Sequence, residues 1–403
     1  MIQMKSKSLA IVVGFDPFRK VNGDSIRFFS WLNYLRGSDY QIELYIVGQS
    51  LLNTDQQMSL ADYPKDFKIN FFEQESSQFP ILKRINNHFR AIRLGAPPWI
   101  AATYSKLLHA KINNMPSSMP LILIGEAAGL YFPFKRSSSI LWDKSNVLSF
   151  STLSEAKDVS SLFQKIKYLY HSSLAKRFER IRLNSECWVT ATSAPEILRI
   201  EQLSDGRNVH LLRSANGPYQ PVKLDLSSTK IGWIGSFNYG PNWRGLIRFL
   251  AVADSFLTTS GYRLKVMGAG VSPKQRAYLD RFTSVDFVGY VEKVEEEISD
   301  CKFLLVPLWS GAGIKIKSLD ALKHGVPLLT TVVGGEGIRH DAILHTFEDP
   351  NDLEFFLSKI DVPTIEENLR SAKSAYLDEH TQEAFNGCLS RILDAFIASQ
   401  QKD

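Results

Sequence analysis

Short runs of consecutive apolar residues recur along the chain and alternate with stretches that have helical spacing. Such runs lie at Leu9–Gly14, Leu121–Gly125, Ile231–Ile234 and Phe303–Pro307. A strand buried on both faces shows this pattern, whereas a half-exposed strand alternates apolar and polar positions. Strands separated by helices form βαβ units, so the pattern predicts an α/β chain built on parallel sheets.

The segment from Phe303 to Thr331 carries the clearest functional signal. It predicts, in order, the buried strand Phe303–Pro307, a small-residue loop at Ser310–Gly313, a helix at Ile316–Lys323 and a second buried strand at Val326–Thr331. Ligands of parallel sheets bind beyond the carboxyl ends of the strands. The free amides and the positive dipole end of the helix favour an anion there, and glycine lets the backbone approach it closely.

Two interpretations of this loop stay open on the residues alone. Lys315 and Lys317 add positive charge beside the predicted anion site. Glycines between a strand and a helix are also ordinary turn residues, and two lysines are also typical of a solvated helix face.

The sequence SGAGIKIKSLDALKHGVPLLTTVVGGEGI resembles the C-terminal signature of the group-one (family-four type) glycosyltransferases. The match runs without a gap from Ser310 to Ala321 and continues through Gly325, Pro327, Thr330 and Gly335-Glu336-Gly337. The resemblance implies the GT-B fold, in which two Rossmann-like parallel-sheet domains face a cleft. It also implies a nucleotide-sugar donor.

The resemblance assigns roles to residues of this signature. Gly311, Gly313 and Ile314 would bind the donor, the latter two through their amides. Lys315 would lie near the diphosphate and act in catalysis, and Asp320 would hold the ribose. Many relatives carry two glutamates eight positions apart, whereas this chain has Ala312 and Asp320. The missing first carboxylate leaves the contacts to the donor sugar open.

Further donor contacts are implied elsewhere. The loop 235–245 has the pattern GS-x-x-x-x-PN-x-x-G, in which Arg244 would grip the diphosphate through its two-pronged guanidinium. A plain surface arginine is the alternative. The remaining donor-binding residues implied by the resemblance are Gly23, Ser236, Gly268, Tyr290 and Val291.

Three carboxylates are predicted to bind the acceptor. Asp24 begins a predicted helix, Glu126 follows the strand Leu121–Gly125, and Asp143 ends the short strand Ser139–Trp142. Many relatives have a His-Asp pair near the acceptor, and this chain has Trp142-Asp143 instead. Asp143 would bind the acceptor or act as the catalytic base, and a capping aspartate is the alternative.

Composition limits the partners. The chain has 403 residues and a net charge of +5. Residues 1–220 hold 27 Lys and Arg against 18 Asp and Glu, which gives +9, and residues 221–403 hold 20 against 24, which gives −4. A basic first half suits a membrane leaflet or an anionic acceptor. No nucleic-acid motif is recognised. The three widely spaced cysteines predict a cytoplasmic protein. The basic first half predicts contact with the inner face of the membrane.

The stretch Ile81–Gly95 predicts a basic amphipathic helix. Arginine and lysine alternate there with isoleucine, leucine and phenylalanine at helical spacing. This character is typical of a helix that lies on a membrane surface. A core helix with a solvated basic face has the same pattern, so the sequence leaves both interpretations open.

The domain division is expected within the polar, proline-containing stretch 218–230. Residues 1–220 would form the acceptor domain and 221–380 the nucleotide-sugar domain. The helix Gln382–Ser399 would pack back on the first domain, as residues 381–403 do in GT-B proteins.

The combined prediction is glycosyl transfer to a saccharide or a lipid-linked saccharide, with retention of configuration and in polysaccharide or glycoconjugate biosynthesis. No Asp-x-Asp motif is present, and neither a metal nor a cofactor is expected. Two alternatives remain: a sugar-nucleotide epimerase of the same fold, and a non-catalytic subunit that binds nucleotide sugars.

Overall fold

The computed structural model describes residues 8–18, 23–48, 67–74, 80–204 and 208–400. The sequence Asn22-Gly23-Asp24-Ser25 predicts a turn and a helix cap, and Asn22 lies outside these ranges. The chain divides into two compact units. One comprises Met1–Ser214 with Phe385–Asp403, and the other comprises Ala215–Ala384.

The first unit is built on a seven-stranded sheet in which every neighbouring pair is parallel. The strand order is β3-β2-β1-β4-β5-β6-β7. The strands are β1 (Ser8–Val13), β2 (Gln41–Val47), β3 (Phe67–Phe72), β4 (Leu121–Ile124), β5 (Ile140–Asp143), β6 (Trp188–Ala191) and β7 (Val209–Leu211). Strands β4 and β5 are buried throughout, which is why their sequences do not alternate.

The second unit repeats this arrangement with six parallel strands. Their order is β10-β9-β8-β11-β12-β13. The strands are β8 (Lys230–Ile234), β9 (Arg263–Met267), β10 (Val285–Gly289), β11 (Phe303–Val306), β12 (Leu328–Thr330) and β13 (His345–Thr346). The prediction of two Rossmann-like parallel-sheet units is confirmed.

Helices connect the strands in both units. The first unit contains α1 (Gly23–Arg36), α2 (Pro80–Leu94), α3 (Pro98–Ala101), α4 (Lys106–Asn113), α5 (Leu148–Asp158), α6 (Leu162–Leu183), α7 (Ala194–Glu201) and the last helix, α14 (Gln382–Ser399). The second unit contains α8 (Gly240–Thr259), α9 (Pro273–Leu279), α10 (Val294–Ile298), α11 (Ile316–Lys323), α12 (Pro350–Lys359) and α13 (Val362–Glu379). Short 3-10 helices lie at Ala127–Tyr131, Phe134–Ser139 and His340–Ala342.

Helix α14 packs within the first unit, although it follows the second unit in sequence. The ring of Phe385 lies 6.4 Å from that of Trp31, and the ring of Phe396 lies 5.8 Å from that of Trp188. These contacts bury the apolar side of the helix.

Both sheets reverse their strand order once, and this reversal decides where a ligand can bind. In the first unit it falls between β1 and β4, and in the second between β8 and β11. Loops that leave adjacent strands on either side of such a point diverge, which opens a crevice at the carboxyl ends of the strands. The loops that follow these four strands are therefore the candidates for function.

Among the helices of the described ranges, none combines the length and apolar character needed to cross a membrane.

Candidate functional site

In the second unit, the loops after β8 and β11 approach each other at the point of strand reversal. Arg244, in the first turn of α8, places its Nη2 atom 3.4 Å from the hydroxyl of Ser310. A Cβ atom added to Gly240 would lie 2.7 Å from Nη1 of Arg244, so this glycine leaves room for the guanidinium. Arg244 is thus held against the glycine-rich loop that the sequence identified.

Lys315, on the loop after β11, and Tyr239, on the loop after β8, both lie next to Gly311. The ammonium group of Lys315 donates a hydrogen bond to the carbonyl of Gly313. A Cβ atom added to Gly311 would lie 3.6 Å from Cε of Lys315 and 3.7 Å from the hydroxyl of Tyr239. The structure therefore gathers the two predicted cations around one stretch of backbone, and adds a tyrosine that the sequence did not single out.

The amide of Gly313 is directed at an anionic oxygen. It donates to Oε1 of Glu336 over 3.1 Å. Carboxylate and phosphate oxygens both accept hydrogen bonds from backbone amides, so this contact agrees with a loop that binds an anion. Glu336 appeared in the sequence only as part of the Gly335-Glu336-Gly337 match, and its contact with the loop depends on the tertiary structure.

Lys317 does not lie on a solvated helix face. Its Nζ atom donates to Oδ1 of Asn242 over 2.7 Å and lies 5.6 Å from the ring centre of Trp233. The amide of Asn242 donates in turn to the carbonyl of Ser236 over 3.1 Å. Burial and the nearby charge of Lys315 lower the pKa of Lys317 to about 7. This lysine thus joins the two loops, and the arrival of an anion would favour its charged form.

Two glycines near the site serve close backbone packing. A Cβ atom on Gly245 would lie 2.0 Å from the carbonyl oxygen of Pro307, so α8 could not approach the end of β11. A Cβ atom on Gly268 would lie 1.8 Å from the carbonyl oxygen of Gly235. Gly268 was predicted as a donor-binding residue, and its position is explained by this contact between the ends of β8 and β9.

The other predicted donor-binding residues of this unit surround the same sheet edge. Ser236 is exposed on the loop after β8, Tyr290 is exposed just after β10, and Val291 and Ile314 are half-buried. Asp320 lies on α11 and accepts a hydrogen bond from Nδ2 of Asn216 over 2.8 Å. Burial raises the pKa of Asp320.

In the first unit, Asp143 is fully buried and lies in a dense hydrogen-bond network. Its carboxylate pairs with Arg27, whose Nε atom lies 2.7 Å from Oδ2. Trp31 donates to the same oxygen over 2.8 Å, and Thr190 donates to the other. Arg27 also donates to the carbonyl of Leu212 over 3.0 Å.

This geometry argues against two interpretations of the sequence. Asp143 accepts at least four hydrogen bonds and is 0% exposed, so its position does not suit a base or a capping residue. Arg27 is 1% exposed, so its guanidinium serves this buried ion pair. The pair instead fixes α1 against the end of β5.

Asp24 and Glu126 lie beside each other at the strand reversal of the first unit. Glu126 follows β4 and accepts hydrogen bonds from the amides of Ser145 and Asn146 over 2.9 and 2.8 Å. Asp24 follows Gly23 at the start of α1 and is hydrogen-bonded to the side chain of Ser145. Burial and the charge of Asp24 raise the pKa of Glu126 to about 7, and burial also raises that of Asp24. The charge of Asp24 therefore favours the protonated form of Glu126.

Glu179 and Phe178, neighbours on α6, have structural contacts in the first unit. Glu179 accepts hydrogen bonds from the amides of Leu148 and Ser149 and pairs with Lys144 over 3.1 Å. These bonds satisfy the free amides at the start of α5. Phe178 is buried in the core beside it.

Two Rossmann-like units of this strand order, each with functional loops at the carboxyl ends of its strands, define the GT-B fold. Solved structures match over nearly the whole chain. That of TarM, known from S. aureus, has a TM-score of 0.67 at 10% identity and covers 98% of this chain and 100% of its own. That of HepE from Anabaena, a complex with UDP, has a TM-score of 0.64 at 10% identity, with 96% and 100% covered. WaaG, a glycosyltransferase of lipopolysaccharide biosynthesis, has a TM-score of 0.61 at 12% identity, with 95% and 99% covered.

A comparison with family profiles matches part of the second unit. Residues 228–359 match the profile of the family described as glycosyl transferases group 1. A curated relative, an uncharacterized 44.6 kDa protein of the cps region of Klebsiella pneumoniae, is 23% identical over 190 residues. That match covers 45% of this chain and 48%, about half, of the relative.

Proposed function

We propose that the chain transfers a sugar from a nucleotide-sugar donor to a saccharide or lipid-linked saccharide acceptor. The observation that carries the proposal is the convergence of Arg244, Lys315 and the Gly313 amide on one loop at a strand reversal. These groups suit a diphosphate, because guanidinium, ammonium and backbone amide groups are the usual donors to phosphate oxygens. The HepE complexes with UDP and UDP-glucose favour a uridine nucleotide as the first donor to test.

The same groups account for catalysis without a metal ion. When the bond to the sugar breaks, negative charge develops on the leaving diphosphate, and fixed donors stabilise it without reorganisation. One such donor lowers an activation barrier by about 3 kcal/mol in other enzymes. Lys315 therefore acts in the chemical step and Arg244 in binding. Retention of configuration would follow if the leaving phosphate itself takes the acceptor proton.

The remaining donor contacts follow the same proposal. Asp320 accepts hydrogen bonds from the ribose, and Tyr290 and Val291 contact the base. Within the second unit, the donor site also includes Ser236, Gly268, Gly311 and Ile314.

In this proposal, the acceptor binds to the first unit. Asp24 and Glu126 would hydrogen-bond the sugar hydroxyls, since one of the pair can donate a proton while the other accepts. Asp143 acts indirectly, because it positions Arg27 and the start of α1.

Contact with the inner face of a membrane is part of the proposal. Helices α2 and α6 contact each other through the stacked rings of His88 and Tyr170, whose centroids lie 5.8 Å apart. Phe89 and Phe163 are 70% and 79% exposed on these helices, which also carry many lysines and arginines. Exposed aromatic and basic side chains together suit an anionic leaflet. A cytoplasmic enzyme of polysaccharide or glycoconjugate biosynthesis would meet lipid-linked acceptors there.

The test measures release of the nucleoside diphosphate from UDP-sugars, with and without an extract that contains acceptors. We expect release that depends on the acceptor. Isomerisation of the donor without release would indicate an epimerase, and binding without turnover a non-catalytic subunit.

Two variants test the assigned groups. We expect Arg244→Ala and Lys315→Ala each to lower turnover or donor affinity by roughly 100-fold, the loss seen when one transition-state donor is removed. Arg370→Ala is the matched control, because this arginine of the same unit is 76% exposed on α13. Unchanged kinetics in both variants would refute the site.

A further inference from the structure

A basic cavity of about 620 Å³ lies in the first unit, between the end of α2 and helix α4. Its volume is in the range of small-molecule sites and exceeds what a bare phosphate needs. None of the residues already assigned to donor or acceptor lines it. The lining residues are Arg90, Arg93, Leu94, Tyr104, Lys106, His109, Ala110 and Asn113.

The charge of this cavity has one sign. Arg93 and Lys106 contribute two cations, and none of the described lining residues is acidic. The buried guanidinium of Arg182 lies near His109 and adds a third positive charge close to the cavity. Like charges gathered in a concave surface raise the local potential, so an anion is the ligand that this cavity favours.

His109 connects the cavity with the predicted acceptor site. Its ring hydrogen-bonds the carbonyl of Leu130, in the 3-10 helix that directly follows Glu126. Burial and the charge of Arg182 lower the pKa of His109. The oxygens of an anion accept hydrogen bonds, so the cations of the cavity would hold an anion and this neutral ring would not.

We propose that this cavity binds a phosphate or diphosphate ester carried by the acceptor. The guanidinium of Arg93 and the ammonium of Lys106 match the oxygens of such a group, and the remaining volume accommodates part of what is esterified to it. Phe89 and Ile92 are exposed on the same helix as Arg90 and Arg93, so a hydrocarbon chain attached to the phosphate would meet apolar surface. The inference deepens the proposed function and rests on it only in assigning this phosphate to the acceptor.

The binding test uses inorganic pyrophosphate and calorimetry on the full chain, and it needs no enzymatic activity. Because pyrophosphate would also enter the donor site, the background is the double variant Arg244→Ala/Lys315→Ala. We expect this background to retain one site. Adding Arg93→Gln and Lys106→Gln should weaken that site by roughly tenfold or more, since each charge-assisted hydrogen bond to a phosphate contributes about that factor.

The matched control is Lys111→Gln, which removes an exposed lysine of α4 that does not line the cavity. It should leave the affinity within roughly a factor of two, which also excludes a general charge effect. A background variant that binds no pyrophosphate, or equal affinity with and without the cavity substitutions, would overturn the proposal. Failure of the donor site alone would instead show as unchanged binding when Arg244 and Lys315 are replaced.

The source of the phosphate is decided by sedimentation with vesicles. Phosphatidylcholine vesicles with and without phosphatidic acid are compared for wild type and the Arg93→Gln/Lys106→Gln variant. Phosphatidic-acid-dependent binding that the variant loses assigns a lipid phosphate. Pyrophosphate binding without such vesicle binding assigns a water-soluble phosphate ester. Circular dichroism and thermal unfolding of the variant check that it is folded, as expected for surface substitutions.

Discussion

Replacing Glu126 by glutamine should stabilise the protein at alkaline pH and not at acidic pH. Glu126 is 6% exposed, and its pKa of about 7 lies well above its ordinary value of 4.5. A carboxyl group with a raised pKa stabilises the fold only while it is protonated. Its contribution is fully present below about pH 4.5 and is lost as the pH rises through 7.

The size of the effect follows from the pKa difference. Each unit of pKa corresponds to about 1.36 kcal/mol, so ionising Glu126 in the fold costs about 3 kcal/mol above pH 8. Glutamine cannot ionise, and its carbonyl oxygen can still accept the amides of Ser145 and Asn146. The variant also removes the like charge that faces Asp24.

Thermal unfolding at about pH 5 and about pH 8 measures this difference. A gain of about 3 kcal/mol should raise the melting temperature of a unit of this size by roughly 5–10 °C at pH 8, with little gain at pH 5. Glu201→Gln, an exposed carboxylate of the same unit, should show no such pH dependence. Equal shifts at both pH values would refute the interpretation of Glu126 as a buried, proton-sharing carboxyl group.

Two further predictions test the packing behind the sites. Arg27→Met leaves the Asp143 carboxylate buried without its ion pair, so urea unfolding should show that the free energy of unfolding falls by about 3–5 kcal/mol. The double variant Arg27→Met/Asp143→Leu should recover most of this loss. A single variant as stable as the wild type would contradict this account. Gly245→Ala places a methyl group against the carbonyl oxygen of Pro307, so it should lower the free energy of unfolding by about 1–3 kcal/mol and weaken the binding of UDP. Gly387→Ala, which has open space around it, should change neither the stability nor the binding. Calorimetry with UDP and thermal unfolding check both glycine variants, and intact UDP binding by Gly245→Ala would show that the two loops tolerate the displacement.

Much of the fold could be predicted because its signals are local. The helices Ile316–Lys323 and Gln382–Ser399 have the predicted bounds, and the buried strands differ by one or two residues. The glycine-rich loop could be located for the same reason, since strand, loop and helix follow one another in the chain. Strand β3 and helix α4 were missed in a stretch with weak periodicity.

Elements that depend on distant partners could not be predicted. The start of α5 is stabilised by Glu179, which lies about thirty residues further on. Arg27 is a charged residue on a helix, a type of position that is usually exposed. Its burial depends on Asp143, which lies 116 residues away in the chain. A single sequence shows which residues are charged but not which charges meet.

The sequence by itself determined the α/β class, the two parallel sheets and the two loops that carry Arg244 and Lys315, because hydrophobic periodicity and glycine spacing are properties of neighbouring residues. Only the tertiary structure decided that Asp143 is buried in an ion pair, that Glu336 accepts a hydrogen bond from the Gly313 amide, and that a basic cavity lies between α2 and α4. These features depend on which side chains the fold brings within a few ångströms of each other, and burial then changes the strength of their charges.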